Sequence, residues 1–141
     1  MTLVVDASVV FAALTATGDL GRWARNQVTA DQPVAPEHMP AEVANILRRA
    51  VLRGELSSDF ASLAHQELLE MPVALFSYVS VAGRAWELRH NLSIQDGWYV
   101  AIAEQLGAPL ATLDRKLVMA PGPQCEFRFP PQPDSYQTGM E

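Results

Sequence analysis

Four carboxylates stand out by where they fall in the chain. Asp6 closes the apolar run Leu3-Val4-Val5, and Asp114 closes a second one that starts at Pro109. Glu42 and Asp96 each fall where the local pattern puts the first turn of a helix. Carboxylates gathered in a low-dielectric pocket repel one another unless they are protonated or neutralised by cations. An all-oxygen donor set selects a hard ion, Mg2+ or Mn2+. Such an ion acidifies a bound water and can clamp both oxygens of an in-line phosphoryl displacement. Ser8 and Thr112 would then orient Asp6 and Asp114 by hydrogen bonding. Taken one at a time, the acids have plainer readings. Asp6 or Ser8 suits a helix N-cap, and Glu42 suits a first turn, where the helix dipole favours an acid. Ser93-Ile94-Gln95-Asp96 has the spacing of a capping box. Convergence of all four is what would favour the chemistry.

Four segments must therefore meet at one sheet edge. Leu3-Val4-Val5 reads as a buried strand, and the apolar residues Val9 to Leu14 read as a buried helix. Asp6 thus sits at a strand-to-helix switch, on the edge where open α/β sheets place ligands. Gly18 to Gly21 reads as a turn or helix break, followed by a helical stretch from Gly21 to Val28. Pro33-Val34-Ala35 is a short strand candidate. From Pro40 to Gly54 the apolar residues Val43, Ile46, Leu47, Ala50 and Val51 keep the helical period. Glu42, Asn45, Arg49 and Arg53 form one polar stripe on that helix.

Ser57-Ser58-Asp59 caps a helix that runs to about Glu70, and Val73 to Phe76 is a strand. Val79 to His90 reads as one helix, with Val81, Ala85, Trp86 and Leu88 as its apolar surface. Ser93 opens a helix through Leu106, stopped by Gly107. Asp114 ends a strand, Arg115-Lys116-Leu117 makes a short helical turn, and Glu126 to Phe129 alternates like an edge strand. The alternation implies an α/β fold: a single domain with a mostly parallel central sheet of about five strands flanked by helices. The domain is expected over residues 1–129. Residues 130–141, rich in proline, are expected to form a flexible tail.

Bulk properties agree with a single globular domain. Of 141 residues, 49% are hydrophobic, enough for a real core. The net charge of −6 argues against broad nucleic-acid binding through a basic face. It leaves room for a nuclease whose surplus acids hold metal, since two divalent cations would reduce it to about −2. The lone cysteine, Cys125, excludes an internal disulfide and suits a reducing cytoplasm. Neither a signal peptide nor a membrane-spanning run is expected.

Four segments carry a resemblance: Val-Val-Asp-Ala-Ser at 4 to 8, Pro-Ala-Glu-Val-Ala-Asn-Ile-Leu-Arg-Arg at 40 to 49, Asp-Gly-Trp-Tyr-Val-Ala-Ile-Ala-Glu at 96 to 104, and Leu-Ala-Thr-Leu-Asp-Arg-Lys-Leu at 110 to 117. In this order and spacing they resemble the PIN-domain ribonucleases, specifically the VapC-type toxins of toxin–antitoxin pairs. Asp6, Glu42, Asp96 and Asp114 each fall on an acid position of that family's metal site, and Ser8 and Thr112 on its hydroxyl positions. The resemblance implies a Mg2+- or Mn2+-dependent endoribonuclease that leaves a 5′-phosphate and a 3′-hydroxyl. It also implies a small cognate antitoxin of the VapB type and a homodimer. One departure is Gln95-Asp96-Gly97, where the family commonly has Tyr-Asp-Ala.

Among the cations, Arg115 and Lys116 beside Asp114 are the best candidates for RNA phosphates, with Arg49 next. Arg22, Arg25 and Arg53 suit a solvated surface. Trp23, Trp86 and Trp98 could stack a base, but at helical spacing they read as core. His38, His65 and His90 lack metal-ligand spacing and read as incidental, and Cys125 reads as structural. A haloacid-dehalogenase-type phosphotransferase is disfavoured because Ser8 stands where it needs a second acid. Two alternatives keep the fold: a housekeeping RNA-processing nuclease, and a catalytically silent module that binds RNA or protein.

Overall fold

In the computed structural model, which describes residues 1–30 and 32–131, the first strand of the chain is also the middle of the sheet. β1 (Thr2–Val5) is flanked by β2 (Gln32–Pro36) on one side and β4 (Leu110–Ala111) on the other. β3 (Ala74–Phe76) lies outside β2, and β5 (Phe127–Arg128) lies outside β4. All four pairings are parallel, giving the order β3-β2-β1-β4-β5. Successive strands step outward from β1 to β3, and the chain then returns to the other side of β1. The switch in direction falls between β1 and β4, where a parallel sheet opens a crevice at its carboxyl edge.

Helices cover the sheet: α1 (Ala7–Thr15), α2 (Gly18–Ala30), α3 (Met39–Leu52), α4 (Ser58–Glu70), α5 (Ala82–Glu87), α6 (Ile94–Leu106) and α7 (Arg115–Met119). Leu3, Val4 and Val5 are fully buried, as a strand covered on both faces requires. The sheet is parallel throughout, and the expected α/β class and single domain are what the chain adopts.

Three local expectations are corrected. Gly18 to Gly21 is no break: α2 begins at Gly18, and Gly21 lies inside it. Gly21 answers a close approach instead, because a Cβ there would stand 2.2 Å from the Ala16 carbonyl oxygen at the end of α1. The stretch Val79 to His90 is not one helix. It divides into a 3-10 turn at Val79–Val81, the short α5, and a second 3-10 turn at Leu88–His90. Trp86 does not supply apolar surface to the core, as its helical spacing suggested. Val81, Ala85 and Leu88 take the inward face, leaving Trp86 57% exposed with the Arg89 guanidinium 4.4 Å above its ring. Trp23 and Trp98 do pack against the core. Beyond Pro131 the expected tail lies outside the described residues.

Candidate active site

Asp6 is the residue immediately after β1 and occupies the N-cap position of α1. Its side chain nevertheless accepts no capping hydrogen bond from a backbone amide of the helix. The carboxylate turns instead toward β4. Thr112 Oγ1 donates to Asp6 Oδ2 at 2.6 Å, and Ser8 Oγ donates to the same oxygen at 3.2 Å. Both hydroxyls also accept. The Leu113 amide donates to Ser8 Oγ at 3.1 Å, and the Asp114 amide donates to Thr112 Oγ1 at 3.0 Å. These four bonds fix the segment after β4 against the end of β1, on the two sides of the switch point. Ser8 and Thr112 thus lie where the sequence expected them, except that both serve Asp6; Thr112 meets Asp114 only through its backbone amide.

Glu42 arrives from the first turn of α3, where Pro40 starts the helix. Its Oε1 accepts a 2.8 Å hydrogen bond from the hydroxyl of Tyr99, on α6. His38 Nδ1 lies 2.8 Å from the same oxygen but out of line, so both ring nitrogens are buried without a hydrogen-bond partner. The imidazole packs against the rings of Trp98 and Tyr99.

Asp96 enters from the first turn of α6, whose cap is Ser93: the Asp96 amide donates to Ser93 Oγ at 3.1 Å. Gly97 next to it has a packing reason, because a Cβ there would come within 3.2 Å of the Ala85 carbonyl oxygen on α5. Asp114 does cap its helix, with Oδ1 accepting from the amides of Lys116 at 2.9 Å and Leu117 at 3.4 Å.

The four acids are close enough to act on one another. Burial pushes the Asp6 carboxyl up to about 6; the Thr112 and Ser8 hydroxyls oppose this, while the charges of Glu42 and Asp96 add to it. Burial also raises Asp96, and the charges of Asp114 and Glu42 raise it further. Among the described residues, no arginine or lysine forms an ion pair with Asp6 or Asp96. The set is therefore negative and partly desolvated, with the His38 ring beside Glu42 and no arginine or lysine among the described residues paired to Asp6 or Asp96, which makes its protonation and cation binding responsive to the surroundings.

The donor chemistry fits a hard divalent ion. All four groups are carboxylates, and Asp6, Glu42 and Asp114 are each anchored through one oxygen. No three acidic, imidazole or thiol side chains among the described residues are gathered tightly enough to hold an ion as they stand.

A PIN-domain model matches residues 3–122, a span that contains all four acids and both hydroxyl residues. The chain belongs to the PIN-domain family. It is 37% identical over 130 residues to Ribonuclease VapC1 of Mycobacterium tuberculosis, covering 89% of this chain and 96% of that protein. The fold is also that of M. tuberculosis VapC20, a sarcin-ricin loop cleaving toxin, at a TM-score of 0.61, 19% identity and coverage of 82% and 92% of the two chains. VapBC2 from Rickettsia felis, solved bound to a DNA fragment from its promoter, matches at a TM-score of 0.65 with 10% identity, over 92% of this chain and 98% of that one. Dependence on a divalent metal is general among PIN-domain ribonucleases.

Other residues singled out in the sequence lie at varying distances from this PIN-domain pocket. Arg115 and Lys116 follow Asp114 directly and are exposed, with the Arg115 guanidinium 4.7 Å from the Phe129 ring centre. Arg49 is two turns along α3 from Glu42, roughly 10 Å on helical geometry. Cys125 is half-buried and its thiol is pushed up to about 11, by burial and by Glu104, which suits a structural residue. Sequence reasoning missed two contacts. Tyr99 lies three residues after Asp96, and His38 lies four before Glu42. Those intervals put each on the same helical side as its acid, but an aromatic in an apolar helix and a histidine among loop residues gave no chemical signal.

Proposed function

We propose that this protein is a Mg2+- or Mn2+-dependent endoribonuclease, the toxin of a toxin–antitoxin pair. The observation that carries the reading is the carboxylate set Asp6, Glu42, Asp96 and Asp114 at the β1/β4 switch point, with no arginine or lysine among the described residues paired to Asp6 or Asp96, in a chain 37% identical to a named ribonuclease. The four acids are assigned as the metal and catalytic residues, with Ser8 and Thr112 holding Asp6 in orientation. When bound, a divalent cation supplies positive charge against the scissile phosphate and lowers the pKa of water. Asp6 contributes a carboxylate fixed through one oxygen by two hydroxyls. Asp114 holds the start of α7 and so presents Arg115 and Lys116, which bind RNA phosphates beside the acids; Arg49 extends that contact along α3. The products are a 5′-phosphate and a 3′-hydroxyl.

The partner assignments belong to the same reading: a small VapB-type antitoxin that places a basic side chain among the acids, and a homodimer. Residues 1–129 form the nuclease domain, and the tail expected after it lies outside the described residues beyond Pro131. The setting is cytoplasmic, in keeping with the fact that no helix of the described residues is long and apolar enough to cross a membrane.

The test is cleavage of a mixed RNA pool from the native host by purified, antitoxin-free protein. Cleavage is expected with Mg2+ or Mn2+, to stop in EDTA, and to leave 5′-phosphate ends. Undiminished cutting in EDTA would overturn the metal-dependent reading, and intact RNA with folded, cation-loaded protein would overturn the nuclease.

A further inference from the structure

α1 begins without a side-chain cap, although the residue at its cap position is an aspartate. Both described bonds to the Asp6 side chain come from hydroxyls, that of Thr112 across the β1/β4 crevice and that of Ser8 in the first turn of α1. The first amide of α1, that of Ala7, would be an orphan donor, yet it donates at 3.2 Å to the hydroxyl oxygen of Tyr99. The same hydroxyl donates at 2.8 Å to Glu42 Oε1. Tyr99 is fully buried, and a phenylalanine would fill the same volume without bringing a hydroxyl into the core.

We propose that Tyr99 is a positioning residue of the metal site. Its hydroxyl takes the helix-start amide that follows Asp6, and it fixes Glu42 through one oxygen so that the other faces the cation. One group thereby joins α1, α3 and α6, and sets the spacing of Asp6 and Glu42. Thr112 acts alike on Asp6 from the other side of the crevice, and Ser8 from the first turn of α1. This inference rests on the metal-site reading above.

The test is Mn2+ binding to the isolated protein by calorimetry, for wild type, Tyr99→Phe, Glu42→Gln and the double variant, with Asp6→Asn to test the site itself. Wild type should bind saturably and Asp6→Asn should not; no binding by wild type removes the metal-site reading, and this inference with it. Given wild-type binding, Tyr99→Phe should weaken Mn2+ affinity roughly 10- to 100-fold, and lower kcat while KM for RNA stays within about twofold. In the Glu42→Gln background the same change should cost less than in wild type, because part of what Tyr99 does passes through Glu42. Equal Mn2+ affinity in wild type and Tyr99→Phe would overturn the proposal, and so would a loss that adds in full to that of Glu42→Gln. If Tyr99→Phe does not fold, the Tyr99 ring carbon bearing the hydroxyl is followed by NMR in wild type during Mg2+ titration. It should move with Mg2+ occupancy in wild type and stay fixed in Glu42→Gln; a signal that ignores Mg2+ in wild type would overturn the proposal.

Discussion

Glu104 and Asp6 are both carboxylates in partly dry surroundings, and their protons respond in opposite directions. Glu104, on α6, accepts from Arg84 Nε at 2.7 Å through Oε1, and from Arg84 NH2 at 3.2 Å and the Gln124 amide at 2.7 Å through Oε2. Burial alone would raise it, but the Arg84 hydrogen bonds and charge and the Gln124 amide hold it below the ordinary glutamate range. Asp6 has hydroxyls instead of a guanidinium, and two other acids near it, and is pushed up to about 6. The Glu104 arrangement is complete in itself: it ties α5, α6 and the segment before β5 together. The Asp6 arrangement carries a negative charge with which no arginine or lysine among the described residues pairs. That contrast separates an acid kept for architecture from one kept for a ligand.

Swapping each acid for its amide breaks the comparison most directly. Asp6→Asn should lower RNA cleavage by more than the roughly 100-fold that losing an outer partner costs. Glu104→Gln should cleave at the wild-type rate once its loss of stability is allowed for. Comparable losses in the two variants, measured as kcat/KM on one RNA, would erase the distinction.

Stability against pH comes next, read from urea unfolding of metal-free protein. The Asp6 pKa is raised on folding, so its contribution is fully present below the unfolded value near 3.8 and is lost as pH rises through about 6. The loss amounts to about 3 kcal/mol, and Asp6→Asn should recover most of it at pH 7.5 and little of it at pH 4. Glu104 has the opposite sign. Its depressed pKa contributes stability above the unfolded value of about 4.5, lost as pH falls through the folded one. Glu104→Gln should therefore destabilise by about 2 kcal/mol at neutral pH, with the difference fading in acid. An Asp6→Asn protein less stable than wild type at pH 7.5 would contradict the account of uncompensated charge.

The smallest expected effect sharpens the contrast at two helix caps. Ser57 Oγ accepts from the Phe60 amide at 3.1 Å, and Ser93 Oγ accepts from the Asp96 amide at the same distance. Either serine changed to alanine should cost about 1 kcal/mol of stability. Only Ser93→Ala should also weaken Mn2+ binding, because its amide partner belongs to an acid of the site. Identical Mn2+ titrations for the two variants would separate Asp96 from the metal.

The strand-end acids were legible because an apolar run stopping at a carboxylate is a pattern confined to a few adjacent residues. Asp6 and Asp114 show it, and the alternation of elements sufficed to bring both to one sheet edge. What each acid does there was less legible. Asp6 and Asp114 both sit at cap positions, yet only Asp114 caps, since the choice depends on Thr112 reaching Asp6 across the crevice. Tyr99 was hidden for the same reason: its hydroxyl partners are 57 and 92 residues away in sequence. Gly21 and Trp86 were misread because close helix approach and the choice of inward face belong to tertiary packing, which local spacing does not encode.

The central claim is that Asp6 belongs to a site waiting for a cation, while Glu104 already has its partner. The most direct measurement is calorimetric Mn2+ titration at pH 7.5 of wild type, Asp6→Asn and Glu104→Gln. The account predicts saturable binding by wild type and Glu104→Gln with equal affinity, and none by Asp6→Asn. Binding by Asp6→Asn as tight as wild type, or its loss in Glu104→Gln alone, would contradict it.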